Sequence, residues 1–231
     1  AREPAGFVSS VDADLHGEEG AYFTWTEAEI RETLGDGADT FIKAYHVEAG
    51  GNFDARGRNV LYAPGEIDKS RFAAEKRKLL EARHKRELPF MDTAIHAGWT
   101  ALMAGSLAAA YDVLGDRRCL DRAKRALDLV MSSMYMDGTL FRIYTDRPSV
   151  DGFLDDYSCT IEALIDVFRA SQEPRYLDMA VRLAADCDAK FYDGEHDGYF
   201  YVQEKDRDAL NMDKPIVDFS VPASNPQMAL S

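Results

Sequence analysis

Cysteine is scarce in this 231-residue chain: Cys119, Cys159 and Cys187 are odd in number and contain no Cys-x-x-Cys pair. That excludes a disulfide framework and a zinc knuckle. Each sits among apolar residues with helical spacing, which reads as buried free thiols in a reducing, cytoplasmic setting. No apolar run reaches membrane-spanning length and the N-terminus has no signal-peptide pattern, so no membrane partner is expected. The five histidines show no metal-ligand spacing, and no glycine-rich phosphate loop is present. Ser9-Ser10 and Ser132-Ser133 lie outside any nucleophile-elbow context. No cofactor and no metal are expected. Positive charge is also short: 27 Lys and Arg face 41 Asp and Glu, a net charge of −14, which argues against a nucleic-acid partner. Basic residues cluster from Lys69 to Arg86, but Glu75, Glu81 and Glu87 interrupt them, and the run reads as a solvated helix face.

What the chain does have is a repeat. Tyr111-Asp-Val-Leu-Gly-Asp-Arg-Arg-Cys-Leu-Asp121 recurs as Phe168-Arg-Ala-Ser-Gln-Glu-Pro-Arg-Tyr-Leu-Asp178. In each copy an apolar helix (Leu102 to Leu114; Ile161 to Ala170) leads through a polar turn to a second helix (Leu120 to Met134; Tyr176 to Phe191). An Asp-Gly turn and a short aromatic strand follow, Asp137-Gly-Thr-Leu-Phe141 and Asp197-Gly-Tyr-Phe-Tyr201. A repeated helical hairpin cannot bury its apolar face alone and must stack on neighbours. The expected class is therefore all-α, an α/α toroid or part of one, with short β-hairpins at the hairpin ends. A complete six-hairpin ring of this repeat length needs roughly 350 residues. The chain thus reads as a single domain over 1–231, an incomplete barrel, with an N-terminal loop and helix part at 1–88 and two hairpin repeats at 89–231. It lacks an initiator Met, which fits an excised piece, and apolar faces left by an unfinished ring predict self-association or packing against the rest of the barrel.

Ahead of the repeats, Gly6 to Ser10 and Ala21 to Trp25 read as short strands around an acidic turn. Thr26 with Glu29 is a capping-box signature opening a helix through Leu34. A second helix is expected over Asp39–Tyr45, a strand at Val60–Tyr62, and a charged helix over 68–86 that Pro89 stops.

Several blocks together resemble the YyaL / spermatogenesis-associated protein 20 family. They are Phe7 through Ile30, with Asp12-Ala-Asp14 and Tyr22-Phe-Thr-Trp25; Gly51-Asn-Phe through Asn59-Val-Leu61; Arg86-Glu-Leu-Pro-Phe-Met-Asp92 through Met103; Phe153-Leu-Asp-Asp-Tyr157; and Pro222-Ala-Ser-Asn225. The resemblance implies a six-hairpin glycosidase-like (α/α)6 barrel that follows a thioredoxin-like domain. The chain departs from the family pattern where Asp-Asp-Lys becomes Asp92-Thr93-Ala94. Trp-Asn-Gly-Leu becomes Trp99-Thr100-Ala101-Leu102, and the last block ends Asn225-Pro226.

The candidate chemistry lies on carboxylates. Asp12 and Asp14 begin like a calcium loop, but its twelfth position is Phe23 rather than the bidentate Glu it needs, so an acidic turn capping its own backbone is the plainer reading. The retained pattern keeps Asp12 and Asp14 as candidate rim residues for substrate. Asp155 and Asp156 precede a helix and either cap it or, with Asp92, converge on a central cavity as catalytic carboxylates. Trp99 and Tyr157 either floor a sugar site or belong to the core, and the family block makes Asn225 a candidate substrate contact. His96 stands alone as a candidate proton carrier. Two functions follow: a carbohydrate-binding or carbohydrate-processing barrel, glycosidase-like or epimerase-like, with a sugar or small molecule as ligand; or a non-catalytic helical scaffold associated with a thioredoxin-like neighbour.

Overall fold

In the computed structural model, which describes residues 5–63, 70–208 and 212–230, the repeat becomes two antiparallel helical hairpins. The first pairs α4 (Ala97–Leu114) with α5 (Arg117–Ser133) and the second pairs α6 (Leu154–Ser171) with α7 (Pro174–Phe191). Each hairpin turns through a left-handed residue, Gly115 in one and Gln172 in the other. Asp116 then caps α5 by accepting from the Arg118 N–H, and Pro174 occupies the first turn of α7. These helices start earlier than the repeat alone implies, at Ala97 and Leu154, because the chain ahead of each is held by contacts distant in sequence.

The chain resolves into two compact units, residues 10–92 and residues 1–9 with 93–231. In the larger unit, Ala97, Ala101, Ala104 and Ala108 form a small-residue stripe on α4, all buried. Such a stripe lets α6 approach closely, and α6 is buried through most of its length, including Leu154, Tyr157, Ile161, Leu164 and Val167. The second helices lay amphipathic faces on the same core: Leu120, Leu127 and Val130 from α5, and Tyr176, Leu183 and Phe191 from α7. Polar ties join the hairpins, with the Arg175 guanidinium on both oxygens of Asp128 at 2.9 and 3.2 Å and Lys124 on Glu173 at 2.5 Å.

After each hairpin the Asp-Gly turn forms as expected, with both residues at positive φ: Asp137 and Gly138, then Asp197 and Gly198. The first turn builds a true hairpin of β7 (Tyr135–Met136) and β8 (Thr139–Tyr144). The second yields a single bridge between Tyr192 and Tyr199. β8 also pairs antiparallel with β9 (Pro148–Asp151) and with the end of β6 (Met91–His96), where His96 faces Ile143. A short α8 (Ser224–Leu230) packs on α6.

Among its described residues the unit at 10–92 holds small ladders and three α-helices. β2 (Asp14–Leu15) pairs with β3 (Glu18–Glu19) across His16-Gly17, and β1 (Val8–Val11) precedes them. The capping box opens α1 (Glu27–Leu34): Thr26 Oγ1 accepts from the Glu29 N–H and Glu29 Oε2 from the Thr26 N–H. α2 (Ala38–Ala44) and α3 (Ala73–Arg83) complete a core of Trp25, Ile30, Phe41, Phe72 and Leu79. Part of the expected 68–86 helix lies outside the described residues. The strand expected at 60–62 falls instead on β5 (Arg58–Asn59), paired with β4 (Trp25–Thr26). The reason is Asn59, fully buried, whose amide donates to the Trp25, Glu48 and Gly57 carbonyls and accepts from the Glu48 N–H. Arg86 serves the same unit by donating to the Ala21, Tyr22 and Thr24 carbonyls and lying 4.1 Å over the Trp25 ring.

Candidate functional site

The first turns of α4 and α6 meet in the helical unit, and Asp156 is the hinge of that meeting. Its Oδ2 accepts from the Phe153 N–H at 3.1 Å, the reach-back of an acidic third residue to its helix cap, and from Arg142 Nη1 at 2.7 Å. Its Oδ1 accepts from the Gly98 N–H of α4 at 3.2 Å. Glycine eases this approach, since a Cβ at residue 98 would stand 3.0 Å from Asp156 Oδ1 and 3.3 Å from its Cα, tighter than ordinary contact.

Asp155 shares the same cation. Its Oδ1 accepts from Arg142 Nη1 and from the Asp156 N–H, each at 3.0 Å. Asp155 is 9% exposed and Asp156 2%. Burial, helped by the neighbouring Asp155 charge, pushes the Asp156 carboxyl up to about 6, against the opposing pull of Arg142 and the Phe153 and Gly98 N–H groups. Burial works against the Arg142 charge, but the two carboxylates outweigh it and hold its pKa above the ordinary arginine value. Burial and the Asp155 charge push Tyr201 up to about 12. The aromatic rings form a stack beside this cluster: Arg142 lies 5.1 Å over Phe153, which stacks on Tyr201 at 5.2 Å.

Trp99 follows Gly98 in the first turn of α4, is 45% exposed, and stacks on the His96 ring at 4.3 Å. The other candidates have different places. Tyr157 is fully buried, packs edge-on against Phe191, and accepts from the Leu140 N–H, so its ring belongs to the core. Asn225 pins a loop: its Oδ1 accepts from the Tyr199 N–H, and its amide donates to the Tyr199 and Pro215 carbonyls. Asp12 and Asp14 lie in the unit at 10–92, where Asp12 Oδ1 accepts from the Asp14 N–H in the expected acidic turn. Asp92 is half-buried on β6 and belongs to that same unit. The structure thus gathers Asp155, Asp156 and neighbouring Trp99 at one end of the helical unit.

Arg142 and Tyr201 escaped sequence reasoning. Two faint signals pointed to them. An arginine inside the otherwise apolar strand Thr139-Leu-Phe-Arg-Ile-Tyr144 needs a carboxylate partner if it is even partly buried. Tyr201 replaces Phe141 at the same place in the repeat, adding one hydroxyl that needs an acceptor. The thiols are free, Cys159 and Cys187 buried, and burial pushes Cys159 up to about 12. Among the described residues no group of three His, Cys, Asp or Glu could hold a metal ion. Among them, too, no helix is long and apolar enough to cross a membrane.

No family model matches the chain. Human spermatogenesis-associated protein 20 is 29% identical, with 84% of this chain and 31% of that protein covered. An uncharacterised protein of Caenorhabditis elegans is 27% identical over 88% of this chain and 34% of its own length. The chain therefore spans about a third of the curated relatives it matches. Among solved structures, a sugar epimerase from a ruminal bacterium aligns with a TM-score of 0.50 at 15% identity, covering 73% of this chain and 48% of that one. A family 76 glycoside hydrolase from Bacteroides thetaiotaomicron aligns with a TM-score of 0.46 at 18% identity, over 53% of this chain and 28% of that one. The resemblance carried by the sequence blocks holds: the chain is similar to spermatogenesis-associated protein 20, and its fold is of the α/α-toroid type.

Proposed function

We propose that the helical unit binds a carbohydrate at the end where α4 and α6 begin, with Asp155 and Arg142 meeting hydroxyl groups and Trp99 meeting a C–H face of the sugar. The observation that carries this reading is the Arg142-bridged carboxylate pair, whose Asp156 accepts from the N–H of Gly98, the residue before the exposed Trp99. Sugars present alternating hydroxyls and apolar ring faces, and such a pairing of charged groups with an indole answers both. The fold shared with a sugar epimerase is consistent with a ligand of this class.

Geometry argues for binding or isomerase-like chemistry over hydrolysis. Two hydrolytic carboxylates must stand on either side of a glycosidic bond, about 5–9.5 Å apart, with the substrate between them. Here the space between Asp155 and Asp156 is filled by Arg142 Nη1, 3.0 Å from one and 2.7 Å from the other. Asp156, its carboxyl raised to about 6 by burial, takes up a proton as the pH falls toward 6.

A second reading has its own support. Asp155 and Asp156 accept from N–H groups and Arg142, as carboxylates do when they serve only to cap a helix and tie two hairpins. A scaffold tied to a thioredoxin-like neighbour would look the same there. The buried free thiols support a reducing, cytoplasmic setting. Exposed Trp99, Met103 and Val113 on α4 support self-association or packing on further helices.

A thermal-shift screen against mono- and oligosaccharides separates the readings. A sugar at 100 times its dissociation constant adds roughly 2.7 kcal/mol, several degrees in melting temperature. A shift that Asp155→Asn removes supports the sugar site, and no shift with any sugar leaves the scaffold.

A further inference from the structure

Beyond the second hairpin, the Tyr201 N–H donates to the Asp213 carbonyl at 2.8 Å. Tyr201, Asp213, Lys214, Pro215, Ile216 and Val217 wall an open cavity of about 430 Å³. That volume lies within the range of small-molecule sites.

The walls are of two kinds. Pro215, Ile216, Val217 and the Tyr201 ring are apolar, while Asp213, Lys214 and the Tyr201 hydroxyl are polar. Lys214 does not make the cavity an anion trap, because its ammonium is held at 2.6 Å by both Asp193 Oδ2 and the Asp197 carbonyl, and it lies 4.8 Å from the Phe200 ring centre. An anionic ligand would also meet the Asp213 carboxylate. A wholly apolar one would strip water from that carboxylate without replacing it. A neutral polyhydroxylated ring satisfies both kinds of wall.

Tyr201 is the link. It walls this cavity, and its ring stacks at 5.2 Å on Phe153, the ring over which Arg142 of the Asp155 site lies at 5.1 Å. We propose that the cavity is a second sugar subsite joined to the Asp155 site through Tyr201, so that the protein takes a ligand of at least two sugar units. This rests on the carbohydrate reading above. One unit occupies the cavity against Tyr201, Ile216 and Val217, and the adjoining unit reaches Asp155 and Arg142.

The test is titration calorimetry of the whole chain with glucose, mannose, cellobiose and mannobiose, on the wild type, Val217→Trp, Tyr201→Phe and Asp155→Asn. Val217 is 76% exposed, so the larger side chain fills the cavity without entering the core, and circular dichroism checks that the fold is kept. We expect a disaccharide to bind at least tenfold tighter than its monosaccharide. Val217→Trp should erase that advantage while monosaccharide affinity stays within threefold, and Tyr201→Phe should weaken the disaccharide through loss of a polar group from the cavity wall. Equal affinities for one and two units, or a disaccharide indifferent to Val217→Trp, would overturn the subsite while Asp155-dependent sugar binding survived. Binding of no sugar by the wild type would overturn the carbohydrate reading and the subsite together.

Discussion

The Gly98 N–H donates to Asp156 Oδ1 over 3.2 Å, and that bond ties the first turn of one hairpin's leading helix to the first turn of the next. Two helix N-termini, each carrying unpaired N–H groups and partial positive charge, thereby share one buried carboxylate. The same carboxylate reaches Arg142 at 2.7 Å on its other oxygen. The candidate site is therefore part of what holds the two hairpins in register.

Gly98→Ala should be destabilising by about 1–3 kcal/mol, because the added Cβ meets Asp156 Oδ1 at 3.0 Å and its Cα at 3.3 Å, and that carboxylate is already fixed by Arg142 and the Phe153 N–H. Gly194→Ala, where a Cβ meets nothing within 4 Å, is the control and should be near neutral. Urea unfolding of both variants decides it, and equal midpoints would remove the claim of close helix approach.

Arg142→Met should cost about 3–5 kcal/mol at pH 7, since it leaves two buried carboxylates facing each other without their cation. The variant should also recover stability as the pH falls and those carboxylates take up protons. A loss independent of pH between 4 and 7 would contradict the arrangement.

Asp156 makes a pH prediction of definite sign. Its folded carboxyl titrates at about 6, above the unfolded value of about 4, so the folded state keeps a proton that the unfolded chain has released. Its contribution is full below about pH 4 and is lost as the pH rises through about 6, on the order of 2–3 kcal/mol. Melting temperatures of wild type and Asp156→Asn, compared from pH 4 to pH 7, should show the wild type losing ground across that window. A constant difference would remove burial as the cause.

In the unit at 10–92, Asn59→Leu should cost about 1–3 kcal/mol for each backbone group left dry, the Glu48 N–H and the Trp25 carbonyl foremost. Hydrogen exchange should then quicken around Trp25 and Glu48. Unchanged protection there would show that Asn59 is dispensable.

How much of this was legible in the sequence depended on distance along the chain. The capping box at Thr26 and Glu29, the Asp-Gly turns and the repeated hairpins are local, so residue type and spacing disclose them. Asp155 and Asp156 were visible as acidic residues at a helix start, and their capping role followed from that alone. What joined them could not be read: Arg142 arrives from a strand across the sheet and Tyr201 from beyond the second hairpin, and neither spacing nor periodicity encodes such meetings. Tyr157 was ambiguous for the opposite reason, since an aromatic at helical spacing looks the same whether it faces a ligand or, as here, Phe191. The strand shifted from residues 60–62 to Arg58–Asn59 because a buried side-chain amide, invisible to β-propensity, set the register.

The chain contains two tryptophans, Trp25 buried in the smaller unit and Trp99 exposed next to Gly98, which reaches Asp156. Their two indole N–H resonances, followed by NMR during titration with a disaccharide, test the central claim most directly. The carbohydrate reading predicts a saturable shift of the Trp99 resonance alone, absent in Asp155→Asn. Both resonances fixed at every sugar concentration, or moving alike with and without Asp155, would contradict it.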